Sequence, residues 1–473
     1  MSSKISKIKA AIKKTYTKTF KLINPLILPI KLAIKQHPHR STIILLLGLG
    51  FVTRFWLFGY PNQAVFDEVY FGKFVTGYYT HQYFFDIHPP LGKLLIAGFA
   101  WLFHYNPTQS FAAIGTEYTD SGYLVLRFLP SLASACLPVI VYLIARELRL
   151  KQTTAALIGL AVVFENALIT QGHFILIDSF LILFGFLSLW AWLVWRRTSA
   201  WKWYVLASLF AAMSMSVKWT GMIFAALIIL IELGNKRPEI EKIKRVSIII
   251  ATIAVVYITS FAIHLSLLTK SGDGDVFMTP AFQATLSGNP HSTDSTITPL
   301  RMSAKFVQLN WEMYAANARL TAPHPYGSRW YTWPIMLRPI SYWISGNAQI
   351  WLFGNPVVWW GSTFGLFCLI WLISKRQVPK LQTSRAFLVS AGFAMSWLPF
   401  ALISRVMFLY HYFIPLIFAI LATGYFIDRR SPQKQRLILA LIIIGFLIIL
   451  PYTYGLSPNP VLEFVRTIIP TWH

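Results

Sequence analysis

Two short stretches near the start of the chain bring together residue types that can do chemistry. In the first, Phe66-Asp67-Glu68-Val69-Tyr70 sets two carboxylates side by side just past an apolar run at 42–58. Neighbouring acids perturb each other's ionisation, which can give one of them base character near neutral pH. An ordinary solvated acidic loop explains the pair equally well. The second stretch is Phe85-Asp86-Ile87-His88-Pro89-Pro90-Leu91-Gly92-Lys93. Its two prolines bar helix until Leu91 and would hold Asp86 and His88 in a defined turn. A rigid turn without chemical duty is the competing reading of His88.

Single cations complete the candidate set. Arg127 falls near the membrane boundary at the start of the run 123–145, where a charge is costly unless partnered. Either a bound anion or a salt bridge to Asp67 or Glu68 would serve. For a phosphate the candidates are Arg127, Arg329 and His411, with Lys93 and Lys218 behind them; arginine suits the task because its fork pairs bidentately with the oxygens. His411 sits among Phe408, Tyr410 and Tyr412, where a hydrogen-bonded packing role is the commoner one. Asp178 at a helix start is explained by capping as well as by catalysis. Asp67 and Glu68 could hold a divalent cation, and no other metal signature stands out. Trp330, Tyr331, Trp333, Trp359 and Trp360 fit an interfacial aromatic belt.

The elements that must position these residues are membrane helices. The 473 residues are 56% hydrophobic and only 12% charged, against roughly a quarter charged in soluble proteins. Several apolar runs reach the ~17–25 residues a helix needs to cross a bilayer, and helix satisfies every backbone group in lipid. Eleven spans are expected near 42–58, 123–145, 153–170, 178–195, 203–217, 219–234, 246–268, 357–374, 386–404, 406–427 and 437–454. The net charge of +25 does not signal nucleic acid, because Lys and Arg cluster in short connections. Residues 1–41 form a basic tail, longer than a signal-peptide n-region, suited to anchoring on anionic lipid. Cys136 and Cys368 lie inside apolar runs and read as core residues without a disulfide.

Topology follows from the same clusters. The tail and the connections at 146–151, 196–202, 236–245, 375–385 and 429–436 hold 29 of the 42 Lys and Arg residues. The positive-inside rule puts them all in the cytoplasm. Two long connections, 59–122 and 269–356, then face outward, as does the tail 455–473. A stretch at 91–104 is expected to lie along the interface, and 271–299, rich in Gly, Ser, Thr, Asp and Pro, to be a mobile loop.

At this point the chain resembles a known family. Phe66-Asp67-Glu68-Val69-Tyr70-Phe71-Gly72 followed by His88-Pro89-Pro90-Leu91-Gly92-Lys93 is similar to the first luminal loop of the protein O-mannosyltransferases. Leu126-Arg127-Phe128, Ile175-Leu176-Ile177-Asp178-Ser179 and Val217-Lys218-Trp219-Thr220-Gly221 match in the same order. So do His324-Pro325-Tyr326-Gly327-Ser328-Arg329-Trp330-Tyr331-Thr332-Trp333-Pro334, Gly354-Asn355-Pro356-Val357-Val358-Trp359-Trp360 and Phe408-Leu409-Tyr410-His411-Tyr412. His173 departs, standing where the family has an arginine or a similar residue. The second outer loop is also too short for the inserted β-trefoil MIR domain, which implies a minimal, prokaryotic-type member.

The resemblance implies an all-α, polytopic GT-C fold and inverting transfer of mannose from polyprenyl-phosphate mannose to Ser or Thr hydroxyls of proteins. It places the reaction at the outer face of the cell membrane. Asp67 is the expected base, with Glu68 beside it as understudy. Arg127, Arg329, His411, Lys93, His88, Asp86, Tyr331 and Lys218 are expected around the donor. No cofactor and no metal are expected. The partners implied are the lipid-linked donor, Ser/Thr segments of acceptor proteins, membrane lipid, and a second subunit in a homo- or hetero-dimer. Two rivals stand beside this. One is a GT-C transferase moving another sugar, such as aminoarabinose or arabinose, onto lipid or glycan. The other is a transporter, which the scarcity of mid-span charges disfavours.

Overall fold

The computed structural model describes residues 36–320, 322–378, 380–458, 460–469 and 471–472. Most of the expected basic tail therefore lies outside the described residues. A helix stands at each of the eleven expected spans. Seven are long and apolar enough to cross a membrane: α4 (Gly122–Glu147), α7 (Asp178–Thr198), α10 (Glu239–Leu267), α12 (Pro356–Ser374), the segment Arg385–Leu402 that carries α13 (Lys380–Trp397) into a 3-10 turn, the segment Leu409–Ile427 that leads from a 3-10 turn into α14 (Phe413–Ile427), and α15 (Pro432–Tyr454). An eighth is a broken pair, α5 (Gln152–Val163) and α6 (Asn166–Gly172), bent by 54°. The break falls at Glu165, whose side chain accepts from the Ala167 N–H at 3.3 Å and so opens α6 as its cap. The remaining three positions hold the helices α1 (Pro38–Phe55), α8 (Trp201–Val217) and α9 (Met222–Leu233). The protein is a multi-pass membrane protein.

Within the bundle, α7 is enclosed by α4 and α8, whereas α10 turns most of its surface outward. Small residues set the close crossings, as membrane helices require. A Cβ at Gly50 of α1 would stand 2.4 Å from the Ala135 carbonyl oxygen of α4, so only glycine fits. Cys136 and Cys368 are free and sit on different helices.

The two long connections pack together at one end. The first carries α2 (Glu68–Thr80) and α3 (Leu91–Leu102), the latter starting where the proline pair releases the chain. The second carries α11 (Met302–Arg319), a 3-10 turn at Trp330–Ile335 and a hairpin of β1 (Ile340–Ser345) and β2 (Ala348–Leu352), the two strands antiparallel. The segment 271–299 is not loose. Its Ser271 N–H donates to the Ser287 carbonyl at 2.9 Å, and the Asp275 carboxylate collects Ser271 Oγ, Asn289 Nδ2 and the Gly272 N–H. Gly272 lies so near the Tyr83 carbonyl that a Cβ would approach to 2.4 Å. Gly272 and Gly274, read as loop signals, are thus docking points onto the first connection. The tail after α15 folds back through α16 (Pro460–Ile468), and buried Trp472 donates to the Met336 carbonyl at 3.0 Å. Trp333 and Trp359 correct the aromatic-belt reading. Both are fully buried, and Trp359 Nε1 donates to the Trp333 carbonyl at 2.8 Å.

Candidate active site

Asp67 and Glu68 are adjacent in sequence and opposite in situation. Phe66 adopts a left-handed backbone, φ 48°, held by stacking on Tyr342 at 4.0 Å and by an N–H bond to the Tyr342 carbonyl at 3.1 Å. That turn sends the two carboxylates different ways at the start of α2. The Glu68 carboxylate is fully buried and accepts from Arg127 Nε at 2.8 Å, Arg127 Nη2 at 2.7 Å, Ile175 N at 2.9 Å, Val65 N at 2.9 Å and Tyr118 Oη at 3.0 Å. Five donors saturate it. Arg127 spends its remaining reach on the Pro61 and Gln63 carbonyls. The fully buried Arg127 is therefore committed to the scaffold, not free to grip a phosphate, and Glu68 is no substitute base.

Asp67 is the other case. It occupies the N-cap position of α2 without making a side-chain cap bond. Among the described residues its carboxylate has no hydrogen-bond or ion-pair partner. Burial pushes its pKa up from 3.8 to about 7; Lys218 opposes the rise, and Asp178 and Asp86 add to it. A carboxyl poised there can accept a proton at neutral pH.

The proline turn provides a second scaffold pair. Lys93 ion-pairs with Asp86 and also donates to the His88 carbonyl at 2.9 Å and the Pro89 carbonyl at 3.4 Å. With three donors engaged, the buried Lys93 is another expected phosphate ligand that the fold has already used. The side chain of His88 has no hydrogen-bond partner among the described residues. Burial and the charges of Lys218, Lys93, Arg405 and His411 hold it well below its usual pKa, so it is neutral.

Lys218 enters from the turn between α8 and α9, where extended backbone ends the helix. Its ammonium donates to Asp178 Oδ1 at 2.8 Å and lies 5.2 Å from the Tyr410 ring centre. Gln171 bonds the other Asp178 oxygen at 2.8 Å and accepts from the Tyr342 hydroxyl. A chain from Lys218 to Tyr342, and by stacking to Phe66, fixes the floor beneath Asp67. Lys218 keeps two N–H donors for a ligand. His411 stacks between Tyr410 at 4.7 Å and Trp333 at 5.6 Å, its Nδ1 2.9 Å from the Phe408 carbonyl.

Arg329 and Tyr331 stand apart. Both are exposed, and Arg329 is not among the cations that bear on His88 or Asp67. The cation missed in the sequence is Arg405, just past the 3-10 turn Leu398–Leu402. It is partly buried, has no hydrogen-bond partner among the described residues, and bears on His88, His411 and Tyr410. A signal was present: an arginine in apolar Leu402-Ile403-Ser404-Arg405-Val406-Met407, at the end of a span opposite the basic connections. The described residues hold no group of three or more His, Cys, Asp or Glu side chains placed to bind a metal.

Residues 44–269 match the family described as dolichyl-phosphate-mannose-protein mannosyltransferase, and residues 302–472 match the C-terminal four-transmembrane region of protein O-mannosyltransferase. The chain is 32% identical over 286 residues to dolichyl-phosphate-mannose–protein mannosyltransferase 4 of Schizosaccharomyces pombe, covering 56% of this chain and 37% of that one. It is 34% identical over 265 residues to protein O-mannosyltransferase 1 of Drosophila pseudoobscura pseudoobscura, covering 52% and 29%. The matches thus span about a third of these relatives' own lengths. Among solved structures, the protein O-mannosyltransferase Pmt1–Pmt2 complex of Saccharomyces cerevisiae bound to its sugar donor superposes with a TM-score of 0.82 at 19% identity, covering 90% of this chain and 91% of that one. ArnT from Cupriavidus metallidurans, bound to undecaprenyl phosphate, superposes with 0.53 at 15% identity, covering 86% and 64%. The fold is GT-C, and the chain belongs to the protein O-mannosyltransferase family.

Proposed function

We propose that this protein transfers mannose from polyprenyl-phosphate mannose to Ser or Thr hydroxyls of proteins, with Asp67 as the base. The observation that carries this reading is the unpartnered Asp67 carboxylate, with a pKa of about 7, in a site that also contains the available cations Lys218 and Arg405. In the reaction, the acceptor oxygen bonds to the anomeric carbon of mannose as the bond from that carbon to the phosphate oxygen breaks. The electron pair leaves with the polyprenyl phosphate, and the hydroxyl proton passes to Asp67. Attack opposite the leaving group inverts the anomeric centre. The phosphate is a stable anion, so no general acid is required, unlike the two-carboxylate glycosidases.

Lys218 and Arg405 hold the phosphate, which spreads the growing negative charge over fixed donors. His88, held neutral, lines the same site and leaves the cationic pull on the phosphate to Lys218 and Arg405. The reaction faces the non-cytoplasmic side, because the basic connections lie at the opposite end of the bundle. The N-terminus is cytoplasmic in this topology, and the plasma membrane is the location we assign to the protein. The yeast structural relative is a two-chain complex, and we take a homo- or hetero-dimer as the working state. Neither a metal nor a cofactor enters the scheme.

The test is transfer of labelled mannose from the lipid donor to a Ser/Thr-rich peptide by membranes carrying the wild type or Asp67→Asn. Label in peptide with the wild type alone supports the proposal. Label entering lipid or glycan instead would move the acceptor class to that of the aminoarabinose and arabinose transferases. Undiminished transfer by the variant would remove Asp67 as base.

A further inference from the structure

Helix α11, in the second outer connection, is amphipathic in the wrong sense for a helix in water. Its three charged residues, Lys305, Glu312 and Arg319, fall at i, i+7 and i+14 and so share one side. Val307, Trp311, Tyr314 and Ala318, at i, i+4, i+7 and i+11, share the opposite side. A surface helix in water buries the apolar stripe and turns the charged side outward. Here Lys305 is buried together with Leu309 and Met313, whereas Val307, Trp311 and Tyr314 are 64%, 61% and 58% exposed.

The anchoring of α11 says what that stripe faces. The helix packs antiparallel on α10, with the Phe306 and Phe261 ring centres 5.3 Å apart and Asn310 against Tyr257. Trp219 Nε1 donates to Tyr257 Oη at 2.9 Å, and Tyr257 Oη donates to Asn310 Oδ1 at 2.6 Å. The charged residues of α10 end at Arg245, which leaves 246–267, roughly 33 Å at helical rise, to cross the hydrocarbon. Tyr257 stands ten residues short of Leu267, roughly 15 Å inward and so near mid-depth. A helix bonded to α10 at that depth shares its surroundings, and α10 itself exposes Val255, Ile258 and Ile263. An open groove of about 620 Å³ beside the stripe, with Leu300, Ala304, Val307 and Trp311 in its lining, leaves room for an acyl chain. The same helix walls the candidate site, since Asn317 donates to the Ile87 carbonyl at 3.4 Å and Trp219 directly follows Lys218.

We propose that α11 is embedded in the bilayer rather than standing in water, with Val307, Trp311 and Tyr314 packed against lipid acyl chains. The inference does not depend on the transfer reaction. It is tested on full-length protein in phosphatidylcholine liposomes, with Cys136→Ala/Cys368→Ala as background and a nitroxide attached at Val307→Cys or Tyr314→Cys. Oxygen concentrates in hydrocarbon, whereas a polar nickel chelate is excluded from it. The oxygen-to-nickel collision ratio at both sites should match that of Val255→Cys on α10. It should exceed that of Ser295→Cys, exposed in the outer connection, by roughly tenfold. A ratio equal to that of Ser295→Cys would place α11 in water and overturn the proposal. Poor access to both reagents would mean that protein covers the stripe, a second copy of the chain being the first candidate, and would overturn it as well. Loss of oxygen access only on addition of polyprenyl phosphate would assign the groove to the donor's chain in place of bilayer lipid. If one labelled variant does not fold, the other or Trp311→Cys decides the matter.

Discussion

Asp67→Asn should do two things that rarely go together: abolish transfer and make the protein more stable. The Asp67 carboxyl is raised from 3.8 to about 7 by burial in the folded protein. A carboxyl whose folded pKa lies above its unfolded one disfavours folding wherever the unfolded chain is ionised. The penalty is absent below about pH 4, grows between pH 4 and pH 7, and is complete above pH 7. At roughly 1.4 kcal/mol per pH unit the shift has a ceiling of about 4 kcal/mol. The partial exposure of Asp67 brings the expectation down to about 1–2 kcal/mol. The amide has nearly the same shape and no charge to desolvate. Its melting temperature in detergent should exceed the wild type's by a few degrees at pH 8. The gap should close as the pH is lowered toward 5. A constant gap across that range would mean that the effect is not ionisation. A less stable variant at pH 8 would show that the carboxylate makes a stabilising contact, and the reasoning would fail.

Four other outcomes follow from the same geometry. Glu68→Gln, the neighbouring change, should destabilise by roughly 3–5 kcal/mol because it leaves Arg127 buried and uncompensated; normal expression and an unaltered melting curve would contradict this. Arg405→Gln should lower kcat/KM for the lipid donor by roughly 10- to 100-fold, about the worth of a charge-assisted phosphate contact, with little change in melting; Arg329→Gln should stay within about twofold. The wild-type rate should fall about tenfold per unit as pH drops below about 7, since a base must be unprotonated to act and burial holds Asp67 near that value; a flat profile down to pH 5 would remove Asp67 as the titrating group. Gly272→Ala should loosen the docking of the two outer connections, read as faster proteolysis between residues 271 and 299, because its Cβ meets the Tyr83 carbonyl at 2.4 Å.

The helices were legible because the signals that fix them are local. Apolar runs, the Pro89–Pro90 break and basic connections all act within a few residues, and a helix stands at each expected span. The segment 271–299 was misread for a related reason. Glycine signals only that the backbone is unencumbered, and a chain with no side chain in the way can either wander or press close to another backbone. Gly272 does the second, and its partner Tyr83 is nearly two hundred residues away in sequence.

The site was legible as a set of residue types and not as a division of labour, and charge explains why. Four acids stand in or beside the recognised motifs, Asp67, Glu68, Asp86 and Asp178, among cations that include Lys93, Arg127 and Lys218. Near a membrane an acid or a base needs a partner whether or not it does chemistry, so scaffold and catalyst use the same letters. Only the fold shows the pairing: Arg127 with Glu68, Lys93 with Asp86 and Lys218 with Asp178. The first and third join elements 59 and 40 residues apart in sequence, beyond the reach of any local pattern. Subtracting these pairs leaves Asp67 without a cation and Arg405 without an acid, both bearing on Tyr410. Leaving Asp67 buried without a partner costs stability, and in the proposed reaction the acceptor's hydroxyl proton would compensate it, as the donor's phosphate would engage Arg405. The stability gain expected of Asp67→Asn is that cost, measured directly.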